Sequence, residues 1–358
     1  MAGSSGDPPP TTPEATEPLS HVDAIWRPLD GPVVLDGGLA TELSARGHDL
    51  SDALWSARLL LTEPAAIEET HLAYFRAGAR VATTASYQAS VEGFAAAGLD
   101  RAAGLALIRR SVELAQRARD RYRSEGGGPD DDADDGADDT RADRRLLVAG
   151  SVGPYGAMLA DGSEYRGDYD PGATALANFH RPRIEALVEA GADLLAFETI
   201  PTVREAEVLV RLLDDFEIPA WLSFSCRDDR STSAGEPIAA AVALGSHPGI
   251  VAVGVNCTAP RYMPALLEAA RKATDRPLIA YPNGGDRWDR STRSWVADAG
   301  GAFDPVAVVG WRNLGATWLG GCCGTGPAEI RTVADTLASI GAPAPRWPSL
   351  SIDRMVDA

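Results

Sequence analysis

Of 358 residues only four are cysteine and five are histidine, and no apolar run approaches the ~20 residues that a membrane helix needs. So few cysteines, two of them adjacent, exclude a disulfide framework for a chain of this size. The start of the chain, Met1-Ala2-Gly3-Ser4-Ser5-Gly6, lacks the basic and apolar segments of a signal peptide. A cytoplasmic protein with no membrane partner is the expectation. Basic residues are also in deficit: 33 Lys and Arg against 51 Asp and Glu leave a net charge of −18. With no basic stripe and no interleaved aromatics, nucleic acid is not an expected partner. Much of the acidity is local, because eight aspartates and one glutamate face a single arginine between Glu125 and Asp143. That composition reads as a disordered, solvated insertion. Residues 1–22, rich in Pro, Thr, Ser and Glu, read as a disordered tail, and 343–358 as a C-terminal tail. At 45% hydrophobic, the chain can bury a large single core over 23–342.

Three of the four cysteines sit in glycine-rich turns. Cys322 and Cys323 are adjacent in Gly320-Gly321-Cys322-Cys323-Gly324, and Cys257 closes Gly254-Val255-Asn256-Cys257. Thiolate sulfur is the soft ligand that selects zinc, and three protein ligands with one open position are the pattern of a catalytic zinc site. Adjacent cysteines are unusual among structural zinc ligands, but the flanking glycines allow a turn that aims both sulfurs one way. Spacing alone equally allows buried thiols packed as small hydrophobes, or a redox pair.

Eight apolar runs recur along the chain: Pro32 to Leu35, Ala79 to Thr84, Leu146 to Ala149, Leu194 to Phe197, Ala220 to Phe224, Ile250 to Val255, Pro277 to Tyr281, and one ending at Trp318-Leu319-Gly320. Each reads as a buried strand, and helical patterns lie between them, as at Glu63 to Ala77, Arg101 to Arg123 and Pro171 to Ala190. The economical fold is a single-domain α/β (β/α)8 TIM barrel. An open doubly wound sheet would also alternate, but no G-x-G-x-x-G follows the first strand and no phosphate-binding lysine loop is present. A barrel gathers the residues that follow its strands at the C-terminal rim: Asp36, Tyr87, Tyr155, Glu198, Cys257, Asn283, Cys322 and Cys323. The long loop from Gly150 to Asp170 carries glycine, tyrosine and acidic residues, and loops of that length are often functional.

Taken in order, Asp36-Gly37-Gly38 with Thr41 and Glu42, Thr84-Ala85-Ser86-Tyr87-Gln88, Ser151-Val152-Gly153-Pro154-Tyr155-Gly156, Glu198-Thr199, Gly254-Val255-Asn256-Cys257, Tyr281-Pro282-Asn283 and Gly320-Gly321-Cys322-Cys323-Gly324 form a specific set. It resembles the homocysteine S-methyltransferase family, zinc-dependent enzymes that methylate homocysteine to methionine, over most of Val33 to Ile340. The resemblance implies Zn2+ on Cys257, Cys322 and Cys323, with the substrate thiol in the open position. It implies a sulfonium donor, S-methylmethionine or S-adenosylmethionine, since the chain is too short for added cobalamin and folate modules. Asp36 and Glu198 would hold the homocysteine ammonium, the Gly37-Gly38 backbone its carboxylate, and Asn283 joins the same binding set. Tyr87 would face the cationic donor. Other readings stay open: an arginine partner for Glu198, simple packing for Tyr87, and either a transient ligand or a turn cap for Asn256. Selenocysteine as acceptor, betaine as donor, and a binding barrel without turnover are the functional alternatives. Cys226 falls outside the motif and reads as a bystander.

Overall fold

The computed structural model describes residues 26, 29, 31–50, 56–127, 145–285, 287–289, 294–296 and 303–340. The expected tails at 1–22 and 343–358 lie outside the described residues, as does most of the acidic stretch. Glu125, placed in that stretch by composition, instead caps a helix and pairs with Arg76 at 2.6 Å.

Eight strands form one parallel sheet: β1 Val33–Val34, β2 Val81–Thr83, β3 Leu147–Val152, β4 Leu194–Ile200, β5 Ala220–Phe224, β6 Ile250–Asn256, β7 Leu278–Tyr281 and β8 Ala316–Leu319. Their spatial order is β1-β8-β7-β6-β5-β4-β3-β2, and a parallel bridge between Leu35 and Val81 closes the ring. One main helix follows each strand: α1 Pro64–Arg76, α2 Arg101–Ser124, α3 Ala173–Glu189, α4 Val203–Leu212, α5 Ile238–Val242, α6 Met263–Ala273, α7 Pro305–Asn313 and α8 Pro327–Ser339. The molecule is a (β/α)8 barrel, as the alternation implied. Local chemistry sets several helix starts. Asp100, Thr202 and Asp304 each accept a backbone N–H from the first turn of α2, α4 and α7, and Pro64, Pro305 and Pro327 open α1, α7 and α8.

The sequence pattern did not reveal α7, nor the antiparallel pair Arg287–Asp289 with Ser294–Val296. Short helices at Leu39–Ala45, Val91–Ala96 and Tyr155–Leu159 lie in stretches that read as strand-to-helix loops. Runs this short carry too few apolar positions to show a period.

Strand parity builds the barrel interior. Leu147 and Ala149 of β3 and Leu194 and Ala196 of β4 belong to the inner cluster with Trp221, Ile279 and Trp318, whereas Val148, Leu195 and Phe197 pack outward under the helices. Continuing the same parity toward the C-terminal end brings Ser151, Glu198, Ser223 and Tyr281 inward. An apolar plug is therefore capped by a polar layer, which is the floor of the pocket described next.

Candidate active site

The C-terminal rim encloses a pocket lined by Asp36, Gly37, Gly38, Tyr87, Glu198, Cys257, Cys322 and Cys323, together with Tyr165 and Thr199. All but one of the site residues expected from the sequence thus converge. Asn283 does not line the pocket. Its Oδ1 accepts from Gly285 N at 3.0 Å, and the adjacent Gly284 N donates to Cys323 O at 2.6 Å, so it shapes the turn that steadies Cys323. Tyr155, also expected at the rim, packs instead against Tyr169 and Phe179.

The sulfurs of Cys257, Cys322 and Cys323 all lie within 4.8 Å of one another, with Cys257 Sγ and Cys323 Sγ 3.7 Å apart. Tetrahedral metal–thiolate bonds of ~2.3 Å would set such sulfurs ~3.8 Å apart, so this donor set fits a soft metal ion with little rearrangement. Hydrogen bonds from Cys257 and Cys322 to the Cys323 sulfur hold its thiol well below the ordinary range, so the cluster already favours a thiolate there. Cys226 lies outside this cluster. Backbone geometry aims the first sulfur: Cys257 has φ +45°, a left-handed conformation that non-glycine residues rarely adopt. At the other side, Gly38 approaches the cysteine turn so closely that a Cβ would lie 2.6 Å from Cys322 O. The Gly38 N–H itself donates to Thr325 O at 2.9 Å.

Two buried carboxyls face the sulfurs. Asp36 accepts from Thr83 N at 2.6 Å and Thr83 Oγ1 at 2.8 Å, but desolvation outweighs both and raises it to about 8. Glu198 is raised to about 7 by burial, opposed by hydrogen bonds from Ser151 and from Tyr281 Oη at 3.3 Å. Its partners are hydroxyls, not an arginine. Arg183 acts on Glu198 through its charge alone, so neither carboxyl has a hydrogen-bonded cation among the described residues.

Tyr165, which sequence reasoning did not single out, completes the walls, with Glu164 next to it in sequence but outside the lining. The Tyr165 hydroxyl reaches to 3.6 Å from Cys257 Sγ, and Glu164 beside it is buried. Both come from the long loop after β3, flagged by its length but with no residue singled out. Asn256 is fixed: its Oδ1 accepts from Thr199 N and its Nδ2 donates to Thr199 Oγ1, each at 2.8 Å. It clamps the end of β4 and is not free to ligate. Beneath Tyr87, the buried Arg183 of α3 donates to the carbonyls of Ser86, Tyr87 and Gly153 at 2.7–3.0 Å, fixing the backbone that presents the ring.

Among the described residues, no helix is long and apolar enough to cross a membrane. The family model for homocysteine S-methyltransferases matches residues 33–337. The chain is 45% identical over 320 residues to homocysteine S-methyltransferase YbgG of Bacillus subtilis, covering 88% of this chain and 96% of that one. It is 44% identical over 330 residues to a selenocysteine Se-methyltransferase of Brassica oleracea, covering 90% and 94%. The crystal structure of the metallated homocysteine methyltransferase MmuM from Escherichia coli superposes with a TM-score of 0.73 at 46% identity, covering 86% of this chain and 96% of that one. With its barrel, its three-cysteine cluster and this likeness along nearly its whole described length, the chain belongs to the homocysteine S-methyltransferase family, enzymes that transfer a methyl group to homocysteine.

Proposed function

We propose that this barrel transfers a methyl group from a sulfonium donor, S-methylmethionine or S-adenosylmethionine, to the thiol of L-homocysteine, forming methionine, with zinc held by Cys257, Cys322 and Cys323. The observation that carries this reading is one pocket in which three sulfurs within 4.8 Å of one another meet two desolvated carboxyls. Three soft thiolates suit zinc, and three protein ligands leave a fourth position for a substrate. Bound there, the ion would supply the positive charge that keeps a substrate thiol ionised near neutral pH, where a free thiol of pKa about 8.5 is mostly protonated.

The chain's own residues bind and orient. Asp36 and Glu198 take the homocysteine ammonium, the hydrogen-bonded cation that neither has among the described residues. The Gly37-Gly38 turn lies against the carboxylate, and the Tyr87 ring faces the positively charged donor. The homocysteine sulfur then attacks the methyl carbon in line as the carbon's bond to the sulfonium sulfur breaks. The bonding pair stays on the donor sulfur, which leaves as a neutral thioether, and the thiol proton passes to solvent. No general base acts at carbon, so alignment and exclusion of water carry the rate. Asn283 contributes at one remove, through the turn that holds Cys323. Reduced thiols in such a site suit a reducing compartment such as the cytoplasm.

The test is methionine formation from homocysteine with each sulfonium in turn, on reduced protein of measured zinc content. Turnover that chelation abolishes and zinc restores is the expected result. Turnover by metal-free protein, or none with either donor on fully loaded protein, overturns the proposal. Because one relative is named for selenocysteine, that selenol belongs in the assay as a second acceptor.

A further inference from the structure

Among the described residues, no lysine, arginine or histidine lines the pocket, whereas Asp36, Glu198 and three cysteines do. A homocysteine ammonium answers Asp36 and Glu198. A further acid lies beside the pocket, with the charge of Arg166 acting to lower its pKa. Glu164, in the 3-10 turn Ser163–Tyr165, is 3% exposed, and its Oε2 is buried without a hydrogen-bond partner among the described residues. Its backbone is anchored, since Ser225 Oγ donates to Glu164 O at 3.1 Å. The next residue, Tyr165, lines the pocket and touches Cys257 Sγ at 3.6 Å. Across from it, the buried Tyr87 hydroxyl lies near Thr199 but in hydrogen-bond geometry with no described group. Glu164 is close enough for its charge to act on Tyr87, Tyr165, Cys257 and Cys323. A buried carboxylate oxygen and a buried phenol, neither with a hydrogen-bond partner among the described residues, thus lie near one another, Tyr87 and Tyr165 lining the pocket and Glu164 next in sequence to Tyr165.

Resting on the sulfonium reading above, we infer that Glu164 is the specificity-determining counter-charge for the methyl donor, selecting a donor whose transferable methyl sits on a cationic centre. The Tyr87 and Tyr165 rings give that centre an aromatic lining, and Glu164 behind them supplies a full negative charge in a water-poor region, where such a charge acts over several ångströms. Burial holds the carboxyl up at about 7, outweighing a backbone hydrogen bond and the charge of Arg166, so a cation brought into the pocket would favour its ionised form. A neutral thioether, the product left after transfer, gains nothing from this wall. The same residue thus favours entry of the sulfonium donor and departure of the product, whose sulfur is neutral.

The experiment measures dissociation constants of S-methylmethionine and of methionine, its counterpart with a neutral sulfur, by calorimetry on zinc-loaded wild type and Glu164→Gln. The substitution should weaken S-methylmethionine about tenfold and methionine less than about twofold, a change in ratio that loss of packing would not produce. The KM for the sulfonium should rise in step while the KM for homocysteine stays put. Glu164→Asp, which keeps the charge, should retain most of the preference and serves if the glutamine variant folds poorly. An unchanged ratio in a wild type that binds both ligands overturns the assignment of Glu164 alone. A wild type that binds methionine but not the sulfonium overturns the donor reading and this assignment with it.

Discussion

The side-chain amide of Asn256 is locked onto Thr199, accepting from its N and donating to its Oγ1, both at 2.8 Å. Thr199 has φ +59° and Cys257, next to Asn256, has φ +45°, so one buried amide joins two residues in left-handed conformations at the ends of β4 and β6. A β-branched threonine adopts such a φ only when its surroundings enforce it. Replacing Asn256 with Ala removes the enforcement and strands the Thr199 N–H. The expected loss is about 2–4 kcal/mol in urea unfolding, with weaker metal retention as Cys257 relaxes. Full stability in that variant would show that the clamp is incidental.

Tyr165 offers a separate handle on the metal. Its hydroxyl meets Cys257 Sγ at 3.6 Å, and on the proposed zinc reading it would orient that ligand without being one. Tyr165→Phe should raise the zinc dissociation constant about tenfold in chelator competition. An unaltered constant would place the hydroxyl outside the metal's influence.

The acids of the pocket set a pH dependence. Asp36 at about 8 and Glu198 at about 7 hold protons in the folded, ligand-free site that unfolded carboxyls, near ~4, have already released. Over that interval the folded state binds more protons, so their contribution to stability is fully present below about pH 4 and is lost as pH rises toward 8. Ligand binding runs the other way, because an ammonium needs the carboxylates. The affinity for methionine, which has no thiol to complicate the titration, should climb from pH 6 to 8 by up to about tenfold per unit. A flat profile would remove the two acids from ammonium binding.

Glu205, with no exposed surface, accepts from Tyr155 N at 2.7 Å, His180 Nε2 at 2.8 Å and the Tyr169 hydroxyl. These contacts pin both ends of the loop that carries Glu164 and Tyr165. Glu205→Ala should cost about 3 kcal/mol, because three buried donors lose one acceptor, while Tyr169→Phe should cost only about 1. Denaturant titration of both variants reads the difference, and equal costs would deny Glu205 its role as the common anchor.

What the sequence disclosed followed from regular chemistry. Apolar runs at strand length gave the barrel, and cysteines at strand ends gave the sulfur cluster, since the fold brings such ends together whatever their spacing. Gly254 was visible only as part of a pattern. The structure supplies its reason: a Cβ there would stand 2.1 Å from Ile279 O, across the β6–β7 pairing. Tyr165 and Glu164 stayed hidden because a loop has no period that would tell an inward side chain from an outward one. Asn283 misled for the opposite reason. It stands in the right motif, yet its amide turns back on Gly285, a local bond that strand-end position does not foretell.

The sheet order has a consequence in time. β8, the last of the described strands, lies between β7 and the first, β1, and Gly321 N bonds to Asp36 O at 3.0 Å across that seam. Until that strand and the turn after it emerge and insert there, Cys257 has neither sulfur partner and Asp36 has no neighbour on that side. Metal capture is therefore a late event that reports completed folding, and a nascent or clipped chain lacking β8 would be unable to imitate it.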